Sequence, residues 1–220
     1  MLKQISIALF MMLFLLAARA EPIPQVFDDG APLIDVLTLY SGESLDQYLE
    51  FYEDVDHSAQ IDDLSKEHWQ RLDHGSLAFG YTDSVYWFRM VFTNPTALKV
   101  DRLMSISYPV LDYIEVHRRQ SGSEWTVDTL GDKQRFYDRI IPHRYFVLPM
   151  SLNAGETQEW IFRVDTSSSM QFPVSLWEER DFFVHDQNQI LGLGLYYGIM
   201  LIMMLYNLFV FLSVREINYL

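Results

Sequence analysis

The stretch that decides the fold reads Tyr86-Trp87-Phe88-Arg89-Met90-Val91-Phe92. In an extended strand successive side chains point to opposite faces, so the apolar residues at positions 86, 88, 90 and 92 share one face. Trp87 and Arg89 project from the other face. The stretch therefore predicts a β-strand with one face in a hydrophobic core.

The same alternation recurs along the chain up to Trp177. It is found in residues 103–108, 113–117 and 160–165, where Trp160 is expected to be buried. Turn residues separate the runs at positions 94–95, 120–123, 130–132 and 153–156. About seven or eight strands at this spacing predict an all-β fold, a jelly-roll-like antiparallel β-sandwich. Before the strands, residues 44–52 and 61–74 fit two short helices.

Residues 1–20 have the layout of a secretory signal peptide. Lys3 supplies a positive start, residues 5–16 are apolar, and Ala18-Arg19-Ala20 forms an A-x-A cleavage site. We predict cleavage after Ala20, which exports a domain of residues 21–185. The alternative is an uncleaved signal anchor.

A second apolar stretch runs from Ile190 to Val214 without a formal charge. At about 1.5 Å of rise per residue, it is long enough to cross a hydrocarbon layer of about 30 Å. We predict one transmembrane α-helix over residues 190–214 and a cytoplasmic end over residues 215–220. Arg215 agrees with the positive-inside rule.

Composition and motifs restrict the function. The net charge of −14 disfavours nucleic acid as a partner. The sequence contains no cysteine, so the exported domain folds without disulfide bonds and no thiol nucleophile exists. No serine nucleophile elbow, P-loop or G-x-G-x-x-G motif precedes the span. We therefore expect a protein that is not an enzyme and needs no cofactor.

Histidine and aspartate residues are concentrated in residues 57–74. They are His57, Asp62, Asp63, His68 and His74. Their spacing matches no H-x-x-x-H or H-E-x-x-H pattern, so we predict a solvated surface and no metal site.

A binding site is better supported than a catalytic one. Arg139, His143 and Arg144 form a cationic group just before the strand at 145–148. We hypothesise that an acidic or neutral sugar binds there, with Trp87 or Tyr81 stacking on its ring and Arg144 donating a hydrogen bond. The alternative is that this group pairs with Asp112, Asp132 or Asp138. The predicted ligand-binding residues are Tyr81, Trp87, Arg89, Asp112, Arg139, His143 and Arg144.

An ordered series of residues carries a family resemblance. Gly80-Tyr81-Thr82-Asp83-Ser84-Val85-Tyr86-Trp87-Phe88-Arg89, ending at Asn94, resembles a block in the type 2 extracellular domain of bacterial 7TM receptors with diverse intracellular signalling modules. Further matches follow at Tyr108-Pro109, Leu111-Asp112, Gly131-Asp132, Arg139, His143-Arg144, Gly155-Glu156, Arg163-Val164, Pro173 and Leu176-Trp177. The span resembles the first helix of the seven-helix region.

The resemblance implies a periplasmic sandwich similar to carbohydrate-binding modules, seven membrane helices, and a histidine kinase or diguanylate cyclase as output. Because six helices and an output module are missing here, we expect a fragment or truncated reading frame. We predict the ligand-sensing input domain of a bacterial inner-membrane receptor, which binds a carbohydrate or another small molecule. A homodimer or a partner receptor is a further expected partner. The alternatives are a membrane-tethered periplasmic glycan hydrolase and a protein-protein docking module.

Overall fold

The structure is a computed structural model that describes residues 30–64, 68–71, 77–120 and 123–214. The predicted signal peptide and cytoplasmic end, together with His74, lie outside the described residues. The strands are β1 (Leu33–Asp35), β2 (Glu43–Ser44), β3 (Glu50–Asp54), β4 (Gln70–Arg71), β5 (Ala78–Gly80), β6 (Val85–Thr93), β7 (Val100–Ile106), β8 (Tyr113–Gln120), β9 (Thr126–Leu130), β10 (Phe146–Leu152), β11 (Thr157–Asp165), β12 (Met170–Gln171) and β13 (Val174–Trp177), and the helix α1 is Glu179–Val214.

Two sheets form a sandwich. The large sheet has the strand order β4-β3-β6-β11-β8-β9 and is antiparallel, except that β1 pairs in parallel with the end of β6. The small sheet has the order β10-β7-β13-β2 and is antiparallel. Strands β5 and β12 form a separate antiparallel pair. The predicted all-β, jelly-roll-like sandwich followed by one helix is confirmed.

The core lies between the two sheets and consists of the faces that alternation predicted. Phe88 of β6 is fully buried and stacks on Phe172, with ring centroids 4.3 Å apart. Trp160 and Phe162 of β11 are fully buried in the same cluster, as expected for Trp160. Burying a side chain of this size contributes about 1.5 to 3 kcal/mol. The core stabilises the sandwich without disulfide bonds.

The predicted helix at residues 44–52 is wrong. A 3-10 turn covers only Asp46–Tyr48, and strand β3 starts at Glu50. In the extended conformation Phe51 packs against the core while Tyr52 packs on the opposite face. Pairing with β6 therefore outweighs the local preference for a helix. In residues 61–74 the structure shows a 3-10 turn at Ile61–Asp63 and strand β4.

Helix α1 follows β13 after one residue and extends for 36 residues. Phe182 in its first turns is buried with Leu103 and Val147 on the outer face of the small sheet. Beyond this contact the apolar side chains of the helix are exposed. Among the described residues, α1 is the one helix long and apolar enough to cross a membrane. The end of the exported domain at residue 185 and the start of the transmembrane segment at residue 190 stay predictions.

Candidate ligand-binding site on the outer face of the large sheet

The outer face of the large sheet carries a second apolar cluster. Val85, Trp87 and Ile161 are buried there beneath the chain that connects β3 to β4. The side chains that pack over them are Tyr52, Ala59, Ile61, Leu64, Trp69 and Trp125. Trp87 is only 2% exposed, so it offers no exposed stacking surface, contrary to the sequence-based expectation. The covering segment is distant along the chain from β6, and alternation within β6 could not predict it.

Buried charged groups continue this outer face beside the apolar cluster. Arg89 of β6 is 4% exposed, and its Nε donates a hydrogen bond of 2.6 Å to Oε1 of Glu159 on β11. Its Nη1 lies 3.4 Å from Oε2 of Glu50, the cross-strand neighbour on β3. Glu159 itself is 2% exposed. Charges this deeply buried are tolerated only when they are paired and hydrogen-bonded.

Two further arginines complete the network at its ends. Arg119 of β8 is paired in register with Glu159, and its Nε donates a 2.7 Å hydrogen bond to Oε2 of that carboxylate. Arg71 of β4 donates from Nε to Oε1 of Glu50 at 3.2 Å. Glu159 therefore lies between two guanidinium groups. We call the Arg89, Glu159 and Arg119 side chains the charged floor.

Two tryptophans flank the charged floor. Trp125 lies over the Arg119 guanidinium at 4.2 Å, and Trp69 lies over that of Arg89 at 5.6 Å, both measured to the ring centroid. Such contacts are cation–π interactions, which hold the guanidinium planes and the rings in place. The floor and the two rings line a cavity of about 190 Å³. Its other lining residues are Ile61, Asp62, Leu64 and Ile161.

The cavity combines aromatic faces with fixed hydrogen-bonding groups. Its lining includes Asp62, whose carboxylate is a hydrogen-bond acceptor, and Arg119, whose side chain is 37% exposed. Opposite charges alternate from Arg71 through Glu50, Arg89 and Glu159 to Arg119, and Asp62 in the cavity lining brings the set to three positive and three negative groups. The arrangement suits a neutral polar ring compound better than a strongly charged ion, because a ligand charge would meet both signs within a few ångströms. We name this cavity the tryptophan site.

His117 of β8 lies next to the tryptophan site and is 8% exposed. Its ring stacks on Trp87 at 6.0 Å and meets Trp125 edge-on at 6.3 Å. Burial lowers the pKa of His117, and this outweighs the opposing effect of Glu115, whose Oε2 lies 3.5 Å from Nε2. In the described part of the chain neither ring nitrogen has a hydrogen-bond partner. Protonation therefore disfavours the folded state.

We expect acidification to destabilise the sandwich through His117. An unfolded histidine has a pKa of about 6.5, so the unfolded state binds the proton first. Stability should therefore fall as the pH drops from about 6.5 towards the lower pKa of the folded state. His117→Gln should flatten the dependence of the unfolding midpoint on pH in this window, as measured by urea titrations. An unchanged slope would show that His117 is not the group responsible.

The predicted cationic group lies elsewhere, at the junction between the sandwich and α1. His143 Nε2 is 3.0 Å from Oδ1 of Asp186, and Arg144 Nη2 is 2.6 Å from the same oxygen. Arg144 also donates to Oε1 of Gln189 at 2.5 Å. Arg139 donates to the backbone oxygen of His143 at 2.7 Å. The structure therefore does not bring this group together with Trp87 and Arg89. Asp186 is the carboxylate partner of His143 and Arg144, whereas Asp132 acts on Arg139 and opposes the lowering of its pKa by burial.

The remaining predicted residues lie at the end of the sandwich near this junction. Asp112 accepts hydrogen bonds from the backbone N–H and hydroxyl of Ser167, at 2.8 and 2.6 Å, which lower its pKa. Asp112 thus joins the loop that follows β7 to the loop that follows β11. Gly131 packs against it so closely that a Cβ would lie 2.0 Å from the Asp112 carbonyl oxygen. Tyr81 is 85% exposed, beyond strand β5.

Sequence reasoning missed the residues that make the tryptophan site together with Arg89. They are Trp69, Arg119, Trp125 and Glu159. For two of them the alternation did indicate an outward position, since Arg119 and Glu159 lie on the strand faces opposite Val116 and Trp160. The pairing of Glu159 with Arg89 joins residues 70 positions apart and depends on strand register. The described residues contain no group of three or more histidine, aspartate or glutamate side chains able to hold a metal ion.

Comparison with known proteins gives one family. The family model described as 7TMR-DISM extracellular 2 matches residues 46–178, which include the tryptophan site and all the described strands except β1 and β2. No curated protein matches the chain. The matched segment ends just before α1 begins at Glu179.

Proposed function

The chain belongs to the 7TMR-DISM extracellular 2 family, an extracellular sensor-type domain followed here by a candidate membrane helix, and on this premise we propose that it senses a carbohydrate at the tryptophan site. The sandwich lies in the periplasm of a bacterium, and α1 anchors it in the inner membrane. In this role the chain is the input part of a signalling receptor and has no catalytic activity of its own.

The observation that carries this proposal is the pair of tryptophans flanking a floor whose charged side chains are paired with one another. Indole rings stack on the apolar C–H faces of sugars, while guanidinium and carboxylate groups hydrogen-bond to hydroxyl groups. Because the floor is already paired within the protein, its side chains are held in position before a ligand arrives. This preorganisation reduces the entropy lost on binding.

The position of the site also suits a receptor. The tryptophan site lies on the outer face of the large sheet, and α1 packs on the outer face of the small sheet. The two sheets share one close-packed core, in which a shift of one sheet displaces side chains of the other. A ligand on one face can in this way bias the position of the helix. The changed position of the helix then acts, through the membrane helices, on a second copy or on a partner receptor.

The charged floor supports binding over glycan hydrolysis. A glycosidase needs one carboxylic acid to give up a proton and a second carboxylate on the other side of the bond. Both oxygens of Glu159 accept hydrogen bonds from arginines, and Glu50 is engaged by Arg71 and Arg89. Neither carboxylate is placed to exchange protons with a substrate.

We expect Arg119→Ala to weaken sugar binding by about ten-fold or more, since a charged hydrogen bond contributes about 1.5 to 3 kcal/mol. Trp125→Ala removes one of the two stacking rings and should weaken binding as well. The test is calorimetric titration of the full chain in nanodiscs with a panel of neutral and acidic oligosaccharides. Tyr40→Ala, at an exposed tyrosine remote from the cavity, is the matched control and should bind as the wild type does.

Three results would contradict the proposal. Turnover of a glycan would favour the hydrolase. Binding that is unchanged in both variants, with thermal unfolding unaltered, would place the site elsewhere. A complete lack of binding across the panel would favour a docking module.

A further inference from the structure

The direction of α1 shows which end of the sandwich faces the membrane. The helix starts beside Leu103 of β7 and passes His143 and Arg144, which contact it at Asp186 and Gln189. The uncharged run then starts at Ile190, about 1.5 Å further along the axis. The segment around Arg144 therefore lies level with the start of the apolar span.

Three loops meet at this end and are tied to one another. They are residues 107–112, 131–145 and 166–169, which we call the rim. The backbone N–H of Asp132 donates to the Leu111 carbonyl at 2.8 Å, and the Ser168 hydroxyl donates to the Val110 carbonyl at 3.1 Å. The contacts of Asp112 with Ser167 join the same loops. The rim is therefore one connected surface.

The rim and the strand start beside it expose large apolar and aromatic side chains. They are Val110, Tyr113, Phe136, Tyr137 and Ile140, and Tyr137 is 88% exposed. Four cations accompany them in the rim, Lys133, Arg135, Arg139 and Arg144, against three rim carboxylates, Asp112, Asp132 and Asp138. Lys133 lies 3.6 Å from Asp112 and Arg144 pairs with Asp186. Arg139 lies over the Phe136 ring at 5.1 Å.

This composition is typical of protein segments at a membrane surface. Aromatic rings are enriched at the level of the lipid headgroups, and basic side chains pair with anionic headgroups. Exposure alone does not distinguish the rim, because Tyr40 and Leu98 towards the other end of the sandwich are also exposed. What distinguishes the rim is that it lies where α1 leaves the sandwich.

We propose that the rim rests on the periplasmic surface of the lipid bilayer, with Phe136 and Tyr137 among the headgroups and Arg135 against lipid phosphates. This inference does not depend on the identity of the sensed ligand. The rim contact and α1 together fix the tilt of the sandwich on the membrane, and a change in that tilt is a movement that the helix transmits.

The lack of cysteine in the sequence makes a direct test possible. Asp138→Cys places a single bimane label in the rim, and Ala97→Cys places the matched control in the exposed turn between β6 and β7 at the opposite end. The full chain is reconstituted in nanodiscs of phosphatidylethanolamine and phosphatidylglycerol that carry a headgroup spin label. We expect quenching at position 138 to be several-fold stronger than at position 97.

Adding Phe136→Ser and Tyr137→Ser to the Asp138→Cys variant should reduce its quenching to the level of the control, while circular dichroism stays β-rich. Equal quenching at the two positions would overturn the proposal. So would a label at position 138 that is shielded from aqueous iodide but not quenched by lipid, because this result would identify a protein surface as the occupant.

Discussion

Glu159→Ala is expected to destabilise the sandwich by about 3 to 5 kcal/mol, because it leaves buried guanidinium charge without its carboxylate. Arg89 is 4% exposed, and its Nε donates a hydrogen bond of 2.6 Å to Glu159. When the carboxylate of Glu159 is removed, the ion pair of Arg89 with Glu50 is kept at a longer distance of 3.4 Å. The free energy of unfolding can be measured by urea titration of the full chain in detergent, followed by near-ultraviolet circular dichroism.

Glu115→Ala is the matched control. Glu115 lies on the same face of β8 as Arg119, but its side chain is 40% exposed and its ion pair with Arg163 is 3.5 Å long. Such a pair contributes about 0 to 1 kcal/mol. The double variant Arg89→Met with Glu159→Leu should recover much of the lost stability, since it removes these two buried charges together and leaves Glu50 its ion pair with Arg71. If Glu159→Ala costs no more than Glu115→Ala, the floor is not buried in solution.

Trp87→Ala and Phe88→Ala are each expected to cost about 3 to 5 kcal/mol. The side chains point to opposite faces of β6, yet both are buried, at 2% and 0% exposure. Phe88 packs in the core between the sheets, whereas Trp87 packs beneath Ile61, Leu64 and Trp69. Each truncation therefore leaves a cavity. The same urea titration provides the measurement.

Tyr40→Ala controls for the loss of an aromatic side chain at an exposed position, and a surface change of this kind costs within about 0.5 kcal/mol. A small loss at Trp87 with a large loss at Phe88 would mean that the segment between β3 and β4 does not cover the outer face. In that case Trp87 would regain the exposed role expected from alternation alone.

The inward faces were predictable from sequence because alternation is a local property. Each strand is identified by residues two apart, as in Tyr86, Phe88 and Met90, and this pattern needs no knowledge of the partner strand. The same local pattern also predicted that Trp87 and Arg89 point away from the core. It could not show that a second layer covers them, since the covering residues come from a segment between two other strands.

The tryptophan site and the junction were not predictable for a related reason. Arg144 contacts Gln189, 45 residues away, and this contact depends on how α1 turns back along the small sheet. An acidic chain contains many carboxylates that could pair with a cationic group, and the sequence alone does not identify Asp186 as the partner. The alternative that the cationic group pairs within the protein agrees with its contacts to Asp186. That this group binds a ligand stays a prediction.

Hydrogen–deuterium exchange tests the central claim most directly, because it locates a bound ligand without any substitution. The full chain in nanodiscs is compared with and without a saturating oligosaccharide from the binding panel. The tryptophan site predicts slower exchange at the backbone amides of residues 59–64, 68–71, 117–120 and 123–127, with the loop at 139–145 unchanged. Protection confined to residues 139–145, or no protection at any sugar concentration, would contradict the claim that this domain senses a carbohydrate on the outer face of its large sheet.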